Sequence, residues 1–266
     1  MMGFRRGWMS GRAAVTVLAA VLLATAGCGG GDAAPAAGGV DADRTPRQLV
    51  LVFDRSTSIT TEELELYDRL AAQKLQELGH GDRVAGIELL QLSLDESPQR
   101  WAQRVPEREF QNRVMERDSV SLARFVQDAR DYMRRFTDPA DRDNFLGTDI
   151  LSTLHDVAEE VRAFPDHSAT VVLFSDMLQA TQEMNMEGLI RMPPANWVSQ
   201  RAAQGRLPDL SGACIVVVGA RTDTAAGQQV KDFWEEYFEA TGAILHDRNY
   251  SYRPVQIPRD PCPGMG

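Results

Sequence analysis

Short apolar runs alternate along this chain with segments of helical periodicity, and this alternation limits the fold more than any other feature. The runs at 49–53, 170–174 and 214–218 are almost wholly apolar. Strands of this kind are buried on both faces, as in a parallel sheet with helices packed on each side. We therefore predict one α/β domain at 47–250, with a doubly wound, mostly parallel sheet flanked by helices.

The helices are predicted where apolar residues recur three and four positions apart. These segments are 64–78, 121–136, 149–163 and 230–238. Thr60 and Glu63 have the spacing of a capping box in front of the first helix. Further strands are expected at 84–94 and, at the sheet edge, 243–245, giving five or six parallel strands. Segments 95–118 and 177–212 are left unassigned, and 251–266 is expected to be a C-terminal tail.

The amino terminus has the pattern of an export signal. Residues 1–12 carry three arginines and no acid, and 13–26 form a mostly apolar run of 14 residues. Such a run is too short to span a bilayer comfortably. Residues 1–27 are therefore predicted to be a signal peptide, with a small residue at the cleavage site.

The sequence around Cys28 resembles the lipobox of bacterial lipoproteins, in which the cysteine is acylated after cleavage. Thr25 stands where that family usually has leucine, so export without a lipid is the alternative. Residues 28–46 would be the lipidated cysteine and a flexible tether reaching roughly 25 Å from the anchor. The expected location is the cell envelope: the periplasmic face of the outer membrane in a host with two membranes, otherwise the outer face of the plasma membrane.

The charge of the chain limits its partners. The net charge is −10, and removal of the three leading arginines leaves −13. A protein this acidic repels nucleic acid and anionic lipid. We expect no nucleic-acid partner, and contact with a membrane through the lipid anchor only.

Polar residues follow the predicted strands at the end where open parallel sheets bind ligands. Asp54, Ser56 and Ser58 alternate after the first strand, so an extended turn points all three the same way. Asp176 follows the strand at 170–174, and Thr148 precedes a helix. The first loop taken alone also fits a helix amino-terminal cap.

Together these motifs resemble the metal-ion-dependent adhesion site of von Willebrand factor type A domains, over residues 47–250. The resemblance implies that Ser56 and Ser58 bind the ion directly, that Asp54 and Asp176 act largely through water, and that Thr148 does either. Asp149 would support the site without binding the ion. In that family an acidic residue of a partner protein fills the remaining position.

The ligand types indicate which metal to expect. All five are oxygen donors, and only two carry charge, which suits Mg²⁺, or Mn²⁺, better than calcium. An ion with so few anionic ligands keeps affinity for another carboxylate. The predicted function is a metal-dependent, non-enzymatic protein-binding module.

Two other functions fit parts of the sequence. An aspartate after the first strand also occurs in phosphatases of the haloacid dehalogenase type, although Ser56 stands where they need a second aspartate. The sequence contains no GxSxG, Walker or HExxH motif for another hydrolase. In a third interpretation the fold is kept, but the metal site is structural or empty.

Five other residues carry open alternatives. Met177 stands where the family often has glycine, and Met177 with Leu178 forms either an apolar rim or a buried pair. His155 is either a surface or packed histidine, or a residue that supports the site or acts in catalysis. Cys214 and Cys262 either form a disulfide, as export permits, or remain free thiols.

Overall fold

The computed structural model describes residues 45–89, 99–108, 115–141, 147–187 and 192–264. The predicted signal peptide, Cys28 and nearly all of the tether lie outside these ranges. Within them, no helix is both long and apolar enough to cross a membrane.

The described residues form one sheet with helices on both faces. The strands are β1 (Arg47–Asp54), β2 (Arg83–Leu89), β3 (Arg100–Arg104), β4 (Ser168–Phe174), β5 (Cys214–Val218) and β6 (Ile244–Ser251). The helices are α1 (Thr61–Leu75), α2 (Met115–Thr137), α3 (Ile150–Arg162), α4 (Trp197–Ala203) and α5 (Ala225–Ala240).

The strand order is β3-β2-β1-β4-β5-β6, and five of these six strands are parallel. β3 runs antiparallel to β2 at one edge, with Ala85 opposite Ala102. The predicted doubly wound, mostly parallel α/β fold is therefore confirmed. The sixth strand, β3, is antiparallel and lies in the segment 95–118, which the sequence left unassigned. Its polar sequence is tolerated because an edge strand has one unpaired side facing water.

Two apolar cores lie on opposite faces of the sheet. On one face α1 and α2 pack on side chains such as Leu51 and Phe174. On the other, α3, α4 and α5 pack on side chains such as Val52 and Leu173. Successive residues of a strand point to opposite faces of the sheet. An uninterrupted apolar run therefore contributes side chains to both cores. This is the reason that these runs predicted the layers correctly.

Element boundaries follow local signals. The Thr60–Glu63 capping box forms, with the Thr60 amide donating to Glu63 Oε2 at 2.7 Å. β6 is longer than the predicted strand at 243–245 because its polar residues lie on an edge strand. α4 falls in the unassigned segment 177–212, and at seven residues it is too short to display a helical period.

The predicted C-terminal tail folds back across the domain as an ordered strap, defined here as residues 252–264. Ile257 is buried in the core on the α1 face. Gln73 donates to the Ile257 carbonyl at 3.0 Å, and Lys74 donates to the Pro258 carbonyl at 3.1 Å. Cys262 is bonded to Cys214 at the start of β5, with 5.9 Å between their Cα atoms. The strap is thus attached to α1 by hydrogen bonds and to β5 by the disulfide.

Candidate functional site

The predicted site lies where the chain changes direction in the sheet. From β1 the chain passes through α1 to β2 on one side, and β4 pairs with β1 on the other. The loops leaving the ends of β1 and β4 therefore diverge and leave a crevice. Ligands bind at such a switch point in open α/β sheets.

Asp54 organises the loop after β1. Its side chain is fully buried, and its Oδ1 accepts a hydrogen bond from the Ser56 amide at 2.9 Å. Arg55, the next residue, points into the protein and donates to Glu88 of β2 at 2.6 Å. The turn is thereby held from two sides, which leaves the following serines directed toward the crevice.

Hydrogen bonds join the two loops into one polar network. The hydroxyl oxygens of Ser56 and Ser58 are 2.9 Å apart, and the Ser58 hydroxyl is close enough to Asp176 to lower the pKa of that carboxyl. From the β4 side, the Ser175 hydroxyl donates to Asp54 Oδ2 at 2.7 Å. The structure therefore brings together four of the predicted residues: Asp54, Ser56, Ser58 and Asp176.

The other two predicted residues lie on a neighbouring loop. Thr148 is buried, and its amide and carbonyl pair with those of Ala180, four residues beyond Asp176. Among the contacts of the described residues, none joins the Thr148 hydroxyl to the four-residue network. Asp149 caps α3 by accepting from the Ser152 amide at 3.1 Å. Its structural position suits a supporting residue.

Gln179, which the sequence analysis missed, ties α3 to the loop after β4. Its Oε1 accepts the Ile150 amide at 2.7 Å, and its Nε2 donates to Asp149 at 3.0 Å. Nothing in the local sequence marks this glutamine, because its partners lie 29 and 30 residues away.

The donor set suits a hard cation that keeps part of its water. The network offers two carboxylates and two hydroxyls from chain positions that only the fold brings together. Among the described residues no three His, Cys, Asp or Glu side chains gather as a metal cluster. Hydroxyl and carboxylate oxygens are ligands that Mg²⁺ accepts.

Electrostatics at the site favour an added positive charge. Burial and the nearby carboxylate of Asp54 raise the pKa of Asp176 to about 7, although the Leu178 amide and Ser58 donate to it. Two carboxylates about 5 Å apart repel by roughly 3 kcal/mol at an effective dielectric constant near 20. A bound cation would remove this repulsion. For this reason the two carboxylates suit a metal ion.

Tyr67 is a second residue that the sequence analysis missed. Its hydroxyl, on α1, is fully buried and has no hydrogen-bond partner among the described residues. Burial, with the charges of Asp54 and Asp176, raises its pKa well above the usual value. The hydroxyl therefore keeps its proton and can donate to an oxygen in the crevice. Its place in the apolar stripe of α1 made it indistinguishable from a core residue.

Gly219, just after β5, makes room for this hydroxyl. It has a φ of +113°, and a Cβ there would overlap the Tyr67 hydroxyl and lie 2.8 Å from the Ser175 carbonyl oxygen. A glycine directly after a buried strand was the sequence signal available for this position. It indicated close backbone approach at the ligand-binding end of the sheet.

The two residues after Asp176 were predicted to form either an apolar rim or a buried pair, and the structure places them differently from each other. Met177 is fully buried, with a φ of +63°, and it accepts a hydrogen bond from Trp234 Nε1 at 2.8 Å. A left-handed backbone is costly for such a side chain, so packing holds it there. Leu178 is only partly buried. Met177 is therefore core, and Leu178 alone lies near the surface.

The remaining predicted residues lie away from the network. His155 lines a separate cavity of about 640 Å³ with Trp197 and Arg206. The Cys214–Cys262 disulfide lies at the opposite edge of the sheet, where the strands begin. Cys28 lies outside the described residues.

No family model and no curated protein matches this sequence. Among the solved structures that are similar to this chain, three each cover 77% of it. Proximal thread matrix protein 1 of the mussel byssus is 13% identical, with 44% of its chain covered and a TM-score of 0.40. The pilus adhesin SpaC of Lactobacillus rhamnosus GG, in an open conformation, is 10% identical, with 28% covered and a TM-score of 0.46.

The third structure is the manganese-loaded TRAP protein of Plasmodium vivax, 12% identical, with 70% of its chain covered and a TM-score of 0.33. The present chain thus spans less than half the length of the first two proteins. At these identities and TM-scores the similarity carries no information about ligands or partners.

Proposed function

We propose that this protein is a non-enzymatic binding module that holds Mg²⁺, or Mn²⁺, in the crevice and uses it to bind an acidic residue of a partner protein. The observation that carries the proposal is the network joining Asp54, Ser56 and Ser58 to Asp176 across two loops. A helix cap alone would not require the second loop.

The residues have distinct tasks in this proposal. The exposed hydroxyl of Ser58 and the partly buried carboxylate of Asp176 face the crevice, where they would hold the ion. Asp54 is fully buried and orients Ser56 and Ser175, so it would act through them or through water. The bound ion would supply a positive charge with an open position for an external carboxylate.

Metal titration of the soluble domain tests the proposal. We expect Mg²⁺ to bind and to raise the melting temperature of the wild type, since a ligand of the folded state stabilises it. Asp54→Ala and Asp176→Ala should abolish this shift. Ser58→Ala changes only an exposed hydroxyl, should fold normally, and should still weaken binding.

Asp128→Ala, at an exposed aspartate of α2, is the matched control and should bind Mg²⁺ as the wild type does. Calorimetry measures the affinities directly. Equal Mg²⁺ binding by the wild type and both site variants would refute the site. Turnover of a phosphate ester that disappears in Asp54→Asn would instead support the hydrolase interpretation.

We also propose that the module is tethered to the bacterial envelope through lipidated Cys28. The proposal is supported by the export signal and lipobox-like sequence. Cys28→Ala is expected to move the protein from the membrane fraction to the soluble fraction. Unchanged membrane association, measured by fractionation and immunoblotting, would argue against the lipid anchor.

A further inference from the structure

A cavity of about 350 Å³ opens beside the candidate metal centre. Its apolar wall consists of Leu178, Met186, Ala226 and Val230. The polar side chains that line it are Ser58, Thr60, Glu63, Asp176, Arg221 and Thr224. The cavity is as large as the smaller ligand pockets of proteins, which are mostly apolar with a few polar groups. The centre therefore has an apolar compartment next to it.

Two separate parts of the chain build the apolar wall. Leu178 and Met186 come from the segment after β4, whereas Ala226 and Val230 come from the first turns of α5. Met186 and Val230 are nearly fully buried, which gives the wall a rigid base. Gly227 lets the first turn of α5 pack closely on the backbone of Arg221.

Arg221 supplies positive charge at the mouth of the cavity. Its guanidinium lies over the Tyr252 ring at 4.5 Å and donates to the Tyr252 hydroxyl at 2.8 Å. It forms no ion pair with any of the described carboxylates. The other charged residues of the lining are Glu63, which is bound to Thr60, and Asp176. A ligand that meets Arg221 is thus favoured when it carries negative charge.

We propose that the partner presents a segment in which an acidic residue has a large aliphatic neighbour, with the acid at the metal centre and the aliphatic side chain in this cavity. The inference rests on the proposed function and adds the chemistry of the partner to it. The acid alone would leave the partly exposed side chains of the wall, Leu178 and Ala226, in water, whereas an adjacent leucine would cover them. Arg221 would attract the acidic segment to the mouth.

Two capped peptides test this proposal. Both are N-acetylated and C-amidated, so that the aspartate side chain is the sole carboxylate: Gly-Leu-Asp-Leu-Gly and Gly-Gly-Asp-Gly-Gly. In Mg²⁺, we expect the leucine peptide to bind the soluble domain at least about tenfold more tightly, because burying a leucine side chain is strongly favourable. Chemical-shift titration by NMR measures both affinities.

Ala226→Phe fills the cavity and should remove the tenfold preference without changing Mg²⁺ binding or the affinity for the glycine peptide. Ala225→Phe places the same ring on the neighbouring, exposed position outside the cavity lining. This control should keep the preference. Arg221→Gln should weaken both peptides about equally and make their binding less sensitive to salt.

The outcomes separate this inference from the proposed function. Equal Mg²⁺-dependent affinity for the two peptides would overturn the cavity assignment and leave the metal site standing. Preference for the leucine peptide that persists in EDTA would support the cavity while contradicting the metal's role. Failure of both peptides to bind in Mg²⁺ would overturn the inference, even where Mg²⁺ itself binds.

Discussion

Replacing Gly219 with alanine is expected to lower the free energy of unfolding by about 2–5 kcal/mol. A left-handed backbone costs an alanine about 1–2 kcal/mol. The added methyl group would also overlap the Tyr67 hydroxyl and press on the Ser175 carbonyl oxygen. Forcing atoms into a packed interior adds about 1–3 kcal/mol. Urea unfolding monitored by circular dichroism measures the change.

Further substitutions separate the two contributions to this loss of stability, steric overlap and the left-handed backbone. Gly81 and Gly205 also have positive φ, but a Cβ at either would meet no atom within 4 Å. Gly81→Ala and Gly205→Ala should therefore cost only about 1–2 kcal/mol. Tyr67→Phe in the Gly219→Ala background should recover part of the loss, because it removes the overlapped oxygen. A double variant no more stable than Gly219→Ala would contradict the proposed packing.

Gly219→Ala is also expected to affect the candidate metal site, separately from its effect on the free energy of unfolding. The Ser175 carbonyl belongs to the residue whose hydroxyl donates to Asp54, so displacement of this backbone would disturb the polar network. Gly219→Ala should thus weaken Mg²⁺ binding even at temperatures where the protein remains folded. The control glycine variants should bind Mg²⁺ normally.

Loss of the Cys214–Cys262 disulfide is expected to lower the free energy of unfolding by about 4 kcal/mol. The bond closes a loop across a sequence separation of 48, and its restriction of the unfolded chain accounts for this value in the chain-entropy model. It also holds the strap on α1, where Ile257 is buried. Cys214→Ser/Cys262→Ser should therefore expose the strap to proteolysis before the rest of the domain.

Thermal unfolding with and without dithiothreitol measures the effect. The reductant should lower the melting temperature of the wild type but leave the double serine variant unchanged. Mg²⁺ affinity should be nearly the same in all folded forms, since the disulfide lies at the opposite edge of the sheet from the site. A wild type indifferent to the reductant would show that the bond contributes little.

Local pattern accounts for the agreement between sequence and structure at the main elements. β5 begins and ends where predicted, and α3 begins one residue after the predicted start. A buried strand and an amphipathic helix each repeat a period in their own residues, so no distant partner is needed to recognise them. β3 and α4 were not predicted, because an edge strand has too little burial and a seven-residue helix too little length to show a period.

The sequence by itself determined the layered fold, because buried strands and amphipathic helices show their periods locally, and it determined the residue types of the candidate site. The strand order, which places the loops after β1 and β4 at the same crevice, came from the tertiary structure. Tertiary structure alone decided that Tyr67 points its hydroxyl toward that crevice, that Gly219 admits it, and that an apolar cavity adjoins Asp176. These features depend on side chains from elements far apart in the chain. Their contacts are set by packing, which no local periodicity encodes.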